Sequence, residues 1–162
     1  MDWLWSPWRY RYVTKASPSD DCIFCAKAAA SQDEENLIVF RGEKNFVVLN
    51  LFPYTSGHLM IAPYAHISTL GEAGTGTLEE MIRLAKRAES NLRIGYKPQG
   101  MNLGMNLGEC AGAGIAGHIH LHMLPRWTGD SSFMTTISET RVVPEDISET
   151  YRKLKELPWS VG

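Results

Sequence analysis

The chain lacks several features that define whole classes of protein. Its 162 residues carry 16 Lys and Arg against 18 Asp and Glu, so no basic surplus favours binding to extended nucleic acid. Three cysteines are too few, and an odd number, for a disulfide framework, and they fit a reducing compartment. No apolar run approaches the roughly 20 residues of a membrane-spanning helix. We therefore expect a small cytoplasmic protein that has no membrane partner.

The N-terminal segment also lacks the basic stretch and apolar core of a secretory signal peptide. It carries Asp2 and three tryptophans within the first eight residues and then turns polar. We predict that residues 1–20 form a peripheral aromatic arm and that residues 21–162 form a single domain. A chain of this length can bury roughly 70% of its extended surface in one core.

Hydrophobic periodicity predicts an α+β fold. Apolar runs bounded by turn residues indicate five strands, and 3.6-residue periodicity indicates helices. The predicted strands cover 37–41, 46–50, 58–63, 101–107 and 118–124, with a hairpin turn at 42–45; the predicted helices are a short one within 22–30, a long amphipathic one from a Thr77 cap to about Ile94, and a C-terminal one over 144–157. Strands grouped around one main helix favour an antiparallel sheet.

Three of the five histidines alternate with apolar residues, at His118, His120 and His122. Successive side chains of a strand point to opposite faces, so the pattern predicts three imidazoles on one face. A neutral imidazole can serve as a base, a nucleophile or a metal ligand near neutral pH. The spacing leaves open catalysis by these groups and a metal site formed by the three histidines. A purely structural strand would use side chains that cost less to bury.

Two shorter motifs are ambiguous by themselves. Cys22 and Cys25 form a C-x-x-C pair, which occurs in redox centres, in zinc sites and in ordinary cores. The run from Gly112 to Gly117 matches G-x-G-x-x-G, but a predicted strand follows it where a dinucleotide-binding fingerprint needs a helix. We therefore interpret it as a loop with little side-chain bulk, whose backbone N–H groups can approach a phosphate.

The pattern His-apolar-His-apolar-His-apolar-apolar at 118–124 resembles the signature of the histidine-triad family of nucleotide hydrolases and transferases. The segment 50–63 is similar to that family's nucleoside-binding strand, turn and strand, and 105–108 is similar to its penultimate strand. The similarity extends from about Cys22 to Trp127. Segments 4–9 and 125–130 most resemble a bacterial branch that includes diadenosine tetraphosphate phosphorylases. The resemblance implies the family's fold, a small-molecule nucleotide substrate and a homodimer.

The resemblance also implies catalytic roles. His120 would attack the α-phosphorus of a phosphoanhydride and form a nucleotidyl-histidine, which water or inorganic phosphate then resolves. His122 would donate hydrogen bonds to phosphate oxygens and stabilise the charge that develops there. His118 would orient the nucleophile through its backbone, and His58 would support the triad from behind.

The implied substrate site comes from several separate segments. Its residues are Asn50, Leu51, Asn106, Gly112, Ala113, Gly114, Trp127 and His58. Asn50 stands where many relatives place an aspartate against ribose hydroxyls, and Gly114 stands where relatives often carry glutamine or serine. An adenine pocket is expected around Val48, Leu49 and Leu51, because a nucleobase needs flat apolar contact. Trp127 matches a tryptophan near the phosphate acceptor, and packing is its alternative role.

Zinc-carrying members of the family imply a metal site at Cys22, Cys25, His66 and His118. Four protein ligands leave no open position, so such a zinc would be structural. The alternative is a pair of reduced core cysteines. His118 would have to reach away from His120, which lies only about 6.6 Å further along an ideal strand.

Three classes of function follow. The first is a nucleotidyl-transfer enzyme acting on dinucleoside polyphosphates or related adenylates, with no organic cofactor. The second is a hydrolase of adenosine phosphoramidates or aminoacyl-adenylates, and the third is a non-catalytic nucleotide-binding adaptor. An intact triad favours an enzyme, because an adaptor has no need of His120. The sequence leaves hydrolysis and phosphorolysis both open.

Overall fold

The computed structural model describes residues 22–130 and 145–159, so the predicted N-terminal arm lies outside the described residues. The elements follow one another as α1 (Ile23–Ala29), β1 (Ile38–Arg41), β2 (Asn45–Leu49), β3 (Leu59–Pro63), α2 (Thr75–Tyr96), β4 (Gly100–Gly104), a 3₁₀ turn (Glu109–Ala111), β5 (Leu121–Arg126) and α3 (Ile147–Lys155). None of the described helices is long and apolar enough to cross a bilayer.

The five strands form one antiparallel sheet in the order β1-β2-β3-β5-β4. The α+β prediction is therefore confirmed. The hairpin between β1 and β2 closes where predicted, since the amide of Gly42 donates to the Asn45 carbonyl over 2.8 Å. β5 lies between β3 and β4, and its His122 pairs with Met60 of β3. This register places the end of the histidine run near the middle of the sheet.

Both faces of the central strands are covered. Every residue of β2 and β3 is buried, as expected for strands with apolar layers on both sides. One core cluster joins the sheet to the long helices through Leu84, Leu92 and Met123. The other cluster contains Phe24 of α1 together with Phe46 and other residues of β1, β2 and β3. Met123 of β5 belongs to the cluster under the long helices. Successive side chains of a strand point to opposite faces, so His122 faces the α1 side of the sheet.

A buried carboxylate joins α2 to the first hairpin. Glu80 is 6% exposed, and its oxygens accept from the amides of Glu43 and Lys44 and from Asn45 Nδ2 over 2.7–2.8 Å. Burial by itself raises the pKa of Glu80, but these hydrogen bonds outweigh it and the net pKa is lowered. The long helix is thereby held against the hairpin by a charged group with several donors.

Four predicted boundaries are wrong. α2 begins at Thr75, and Gly74 is its N-cap, so Thr77 already lies inside the helix. β4 ends at Gly104, three residues before the predicted end, where the chain turns toward the glycine-rich loop. β5 begins at Leu121, because the preceding backbone bonds elsewhere: the amide of Ile119 donates to the Ile67 carbonyl. The C-terminal helix begins at Ile147 and not at residue 144, because the side chain of Asp146 caps it by accepting from the Ser148 amide.

Candidate active site and metal centre

Four histidines converge on the α1 side of the sheet. The ring centroids of His120 and His122 lie 4.7 Å apart, and those of His58 and His122 lie 5.1 Å apart. The imidazole of His118 turns instead toward the two cysteines of the C-x-x-C pair. His118 and His120 precede the regular strand, so their side chains are free of strict alternation. This departure from the predicted strand resolves the conflict between the metal-binding and catalytic roles.

The side chain of His120 is held by the backbone of His118. His120 Nδ1 lies 2.8 Å from the His118 carbonyl oxygen. A carbonyl only accepts, so Nδ1 carries the proton and Nε2 carries the lone pair. Burial lowers the pKa of His120, which is 5% exposed. The ring is therefore neutral near pH 7 and presents an unprotonated Nε2, as a nucleophile requires.

A backbone amide assigns the opposite tautomer to His122 through His58. The amide of Tyr54 donates to His58 Nδ1 over 3.2 Å, so His58 carries its proton on Nε2. That Nε2 lies 2.9 Å from His122 Nδ1 and donates to it. His122 in turn carries its proton on Nε2. Burial, with a further contribution from His120, lowers the pKa of His122 to about 4, so this donor is a neutral imidazole at neutral pH.

Asn50 organises the loop beneath His58. Its Oδ1 accepts from the Phe52 amide over 3.0 Å, and its Nδ2 lies 3.4 Å from His58 Nδ1. Its backbone amide also donates to the His58 carbonyl. The structure thus brings Asn50 next to His58 of the histidine cluster. The expected contact with ribose stays a prediction.

The three apolar residues expected around the adenine pocket differ in exposure. Val48 and Leu49 are 0% and 2% exposed within β2. Leu51 lies in the loop after β2 and is 57% exposed. Of the three apolar residues, Leu51 is the exposed one, and the adenine pocket stays a prediction.

The glycine-rich loop follows the 3₁₀ turn, with β5 after it. Asn106 Nδ2 donates to the Gly112 carbonyl over 3.2 Å and so ties the loop to the end of β4. Gly112 has φ 89°, a conformation that other residues rarely adopt. No helix follows the run in the described chain before β5, which excludes the dinucleotide-binding interpretation. Contacts of Gly112, Ala113 and Gly114 with phosphate stay predictions.

Trp127 is part of a well-bonded turn after β5. Asp130 accepts from the Arg126 guanidinium at 2.5 and 2.9 Å and from the Trp127 amide at 3.3 Å. The Trp127 ring meets the Tyr96 ring edge-on, with centroids 6.5 Å apart. The contact supports packing, and the side chain is half-buried. A role beside the phosphate acceptor stays a prediction.

The four predicted metal ligands lie together. The ligand atoms of Cys22, Cys25, His66 and His118 all lie within 4.8 Å of one another. Cys22 Sγ is 3.3 Å from His118 Nδ1, and Cys25 Sγ is 3.3 Å from His66 Nδ1 and 3.6 Å from His118 Nδ1. A tetrahedral zinc with bonds of about 2.0–2.3 Å places its ligand atoms roughly 3.3–3.8 Å apart. The three sulfur–nitrogen separations of 3.3, 3.3 and 3.6 Å lie in this range, and two sulfurs with two nitrogens form a donor set that suits zinc.

A backbone group also selects the tautomer of His118. Its Nε2 lies 2.9 Å from the Pro63 carbonyl, so Nε2 is the donor and the lone pair of Nδ1 points at the thiols. Burial, with a contribution from Cys22, raises the pKa of the Cys25 thiol. A divalent cation between the two sulfurs would reverse that effect. The donor set is arranged to receive a cation.

Sequence reasoning missed Phe24. Its ring is 1% exposed and contacts the rings of both His118 and His120. The residue lies inside the C-x-x-C pair. An aromatic residue there indicates a contact with the histidines only when the pair is already known to pack against them. No spacing along the chain shows that proximity.

Comparisons with known proteins agree with this geometry. A family model described as HIT domain matches residues 31–129. The AP-4-A phosphorylase of Mycobacterium tuberculosis is 36% identical over 97% of this chain and 84% of its own length. A Zn-bound histidine triad family protein from Mycobacterium smegmatis superposes with a TM-score of 0.68 at 31% identity, over 85% of this chain and 92% of its own. A hypothetical histidine triad nucleotide-binding protein from Sulfolobus tokodaii gives a TM-score of 0.67 at 27% identity, over 83% of this chain and 90% of its own. With the family model covering most of the chain and the histidine cluster in place, this protein belongs to the HIT domain family.

Proposed function

We propose that this protein is a nucleotidyl-transfer enzyme that cleaves dinucleoside polyphosphates, of the diadenosine tetraphosphate type, or related adenylates. The observation that carries the proposal is the pairing of His120 and His122. Their rings are in contact, and backbone groups give one an unprotonated Nε2 and the other a protonated Nε2. A nucleophile beside a neutral donor suits attack on an anionic phosphorus and is wasteful for binding alone.

The first step forms a phosphorus–nitrogen bond. The lone pair of His120 Nε2 attacks the α-phosphorus, and the bond from phosphorus to the bridging oxygen breaks with its electron pair on the leaving polyphosphate. Nucleotidylation makes the imidazole cationic, and the Nδ1–H bond to the His118 carbonyl strengthens as that charge develops. His122 Nε2–H donates to a phosphate oxygen.

The second step regenerates the histidine. An oxygen of water or inorganic phosphate attacks the same phosphorus, the phosphorus–nitrogen bond breaks, and its electron pair returns to Nε2 of His120. The acceptor proton passes to solvent. Similarity to a protein named AP-4-A phosphorylase supports inorganic phosphate as the acceptor. Asn50, Leu51 and Asn106 are proposed to bind the nucleotide, with the loop 112–114 and Trp127 near the acceptor.

The metal centre is proposed to hold a structural zinc. Cys22, Cys25, His66 and His118 supply four ligands, and zinc bound there would cross-link the start of α1 to the segment before β5. The Pro63 carbonyl would keep His118 in the ligating tautomer. The Zn-bound relative from M. smegmatis supports this choice of metal.

We further propose a cytoplasmic homodimer. The three cysteines are free in the structure, as a reducing compartment allows. Leu103 on β4, an edge strand of the sheet, is 52% exposed, and such apolar edges favour pairing with a second copy. Sizing with light scattering should give twice the chain mass at micromolar concentration, and a monomer would contradict the proposal.

The reaction is tested by product analysis. Diadenosine tetraphosphate incubated with the protein should yield ADP and ATP in the presence of phosphate if the acceptor is phosphate, and AMP and ATP if it is water. His120→Asn should abolish turnover while AMP still binds, and His122→Ala should slow turnover by about a hundredfold, as for loss of one electrostatic donor. Turnover by His120→Asn at the wild-type rate would overturn the covalent mechanism. No cleavage of any adenylate by the wild type would overturn the enzyme assignment.

A further inference from the structure

Phe24 links the metal centre to the proposed nucleophile. It lies between Cys22 and Cys25, and its ring centroid is 5.2 Å from that of His118 and 4.7 Å from that of His120. Its side chain is 1% exposed, so the ring has little room to move. One buried ring therefore touches a proposed zinc ligand and the proposed nucleophile at the same time.

The position of α1 depends on very few contacts. The helix has seven residues, its N-cap residue Cys22 makes no side-chain capping bond, and Phe24 is its one buried residue. So short a helix does not persist in water without tertiary contacts. Arg41 binds the carbonyls of Ala28 and Ala30 at the C-terminal end. The first turn is held by Phe24 and by whatever the two thiols bind.

His120 needs more than its hydrogen bond to keep its orientation. The bond from Nδ1 to the His118 carbonyl selects the tautomer, but the ring can still swing about the line that joins those two atoms. Contact with the packed ring of Phe24 opposes that swing. In-line attack tolerates little error, since a misplacement of about 1 Å can cost on the order of a hundredfold in rate.

We propose that Phe24 is a positioning residue that couples metal occupancy at Cys22, Cys25, His66 and His118 to the orientation of His120. With metal bound, the thiols fix the first turn of α1 and press the Phe24 ring against His120. Without metal, the first turn of α1 is less constrained, and the Phe24 ring is no longer held against His120. The transfer step then depends on a metal that never meets the substrate. The catalytic consequence rests on the proposed role of His120, whereas the coupling itself does not.

Phe24→Leu and Phe46→Leu form a matched pair for the test. Phe46 is 0% exposed, belongs to the same core cluster, and has ring contacts with Phe24 and Tyr64 among the described residues. Both variants lose one buried ring, but only Phe24→Leu removes a contact with His120. Phe24→Met supplies a second aliphatic variant should Phe24→Leu not fold.

The first readout is kinetic. Phe24→Leu should retain stoichiometric zinc by elemental analysis, yet slow single-turnover formation of the nucleotidyl adduct by about ten- to a hundredfold with little change in KM. Phe46→Leu should transfer at close to the wild-type rate. Equal slowing in both variants would reduce Phe24 to a general core residue and overturn the proposal.

The second readout needs no substrate. In protein with isotope-labelled histidine, removal of zinc by a chelator should shift or broaden the His120 ring signals in the wild type and in Phe46→Leu. In Phe24→Leu these signals should already be displaced with zinc bound, and the further response to chelation should be smaller. An identical response in all three proteins would refute the coupling. If His120→Asn kept its turnover, the proposed function would fail while this spectroscopic test would stand.

Discussion

His58 Nε2 lies 2.9 Å from His122 Nδ1, and through this hydrogen bond the tautomer of His58 fixes the tautomer of His122. His122 is the residue proposed to donate a hydrogen bond to a phosphate oxygen. The amide of Tyr54 can only donate, so the proton order along the relay has one consistent solution. The relay ends with a proton on His122 Nε2, the atom that would face a phosphate oxygen. A group that never meets substrate thereby decides what His122 can do.

Replacement of His58, which lies between the Tyr54 amide and His122, should slow the reaction without unfolding the protein. His58→Phe preserves an aromatic of similar shape but no donor, so His122 would populate both tautomers and lose part of its function. We expect kcat to fall by about tenfold or more, with a smaller effect for His58→Gln, whose amide can still donate. Nitrogen-15 spectra of labelled histidine should show mixed protonation at His122 in His58→Phe. A single, unchanged tautomer would contradict the relay.

Acid should affect the protein through the same histidines. Burial lowers the pKa of His120, and burial with the neighbouring His120 lowers that of His122 to about 4, against about 6.5 for unperturbed histidine. Below pH 6.5 the unfolded chain therefore binds more protons than the folded one. Stability should fall as the pH drops from about 6.5 toward 4, and rise in the opposite direction.

On the acid side, the pH dependence of the rate should follow the pKa values that His120 and His122 have in the folded protein. If both imidazoles act while neutral, kcat/KM, which reports the pKa values of the free enzyme, should persist below pH 6.5 and decline only as the lowered pKa values are approached. Stopped assays from pH 4.5 to 8, with folding monitored by circular dichroism at each pH, would separate the two effects. An inflection of kcat/KM at pH 6.5 in fully folded protein would show that the histidines are not shielded as described.

Alternation of histidine with apolar residues was enough to predict a shared surface of imidazoles, but not its local geometry. His118 and His120 leave the ladder because their partners are distant along the chain: Pro63 binds the His118 ring, and Ile67 binds the amide of Ile119. Periodicity describes neighbours in sequence, and it cannot show bonds between segments more than 50 positions apart.

The burial of two residues expected at the base pocket has a different cause. The run from Phe46 to Leu49 is apolar at every position, which is typical of a strand buried on both faces. That pattern already argued that Val48 and Leu49 face other parts of the protein. Leu51 escapes because it lies beyond the strand. Resemblance to a family supplied His58, Asn50 and the four metal ligands, whereas the contacts of Phe24 could emerge only from the fold.

Zinc should be present in protein purified without added metal. We expect close to one zinc per chain by elemental analysis, and its loss in Cys25→Ser together with a lowered melting temperature. Cys110→Ser is the matched control, because Cys110 is an exposed cysteine outside the metal cluster. It should retain both zinc and stability. The structural site would be refuted if the wild-type protein kept its melting temperature after a chelator had removed its metal.

Glu80 should be among the most sensitive polar positions in the fold. Glu80→Ala would leave the amides of Glu43 and Lys44 without their acceptor beneath the hairpin, at a cost of about 2–4 kcal/mol in the free energy of unfolding. Glu79→Ala is the control. Glu79 is the exposed neighbour of Glu80 on α2, so its substitution should lower the free energy of unfolding by less than about 0.5 kcal/mol. Because the folded pKa of Glu80 is lowered, its contribution is present above the carboxylate range and is lost as the pH falls through the folded pKa. Urea melts of both variants at pH 7 and pH 4 test this directly: the gap between Glu80→Ala and the wild type should narrow at the lower pH, and a gap that is small at pH 7 would show that the hairpin does not depend on this carboxylate.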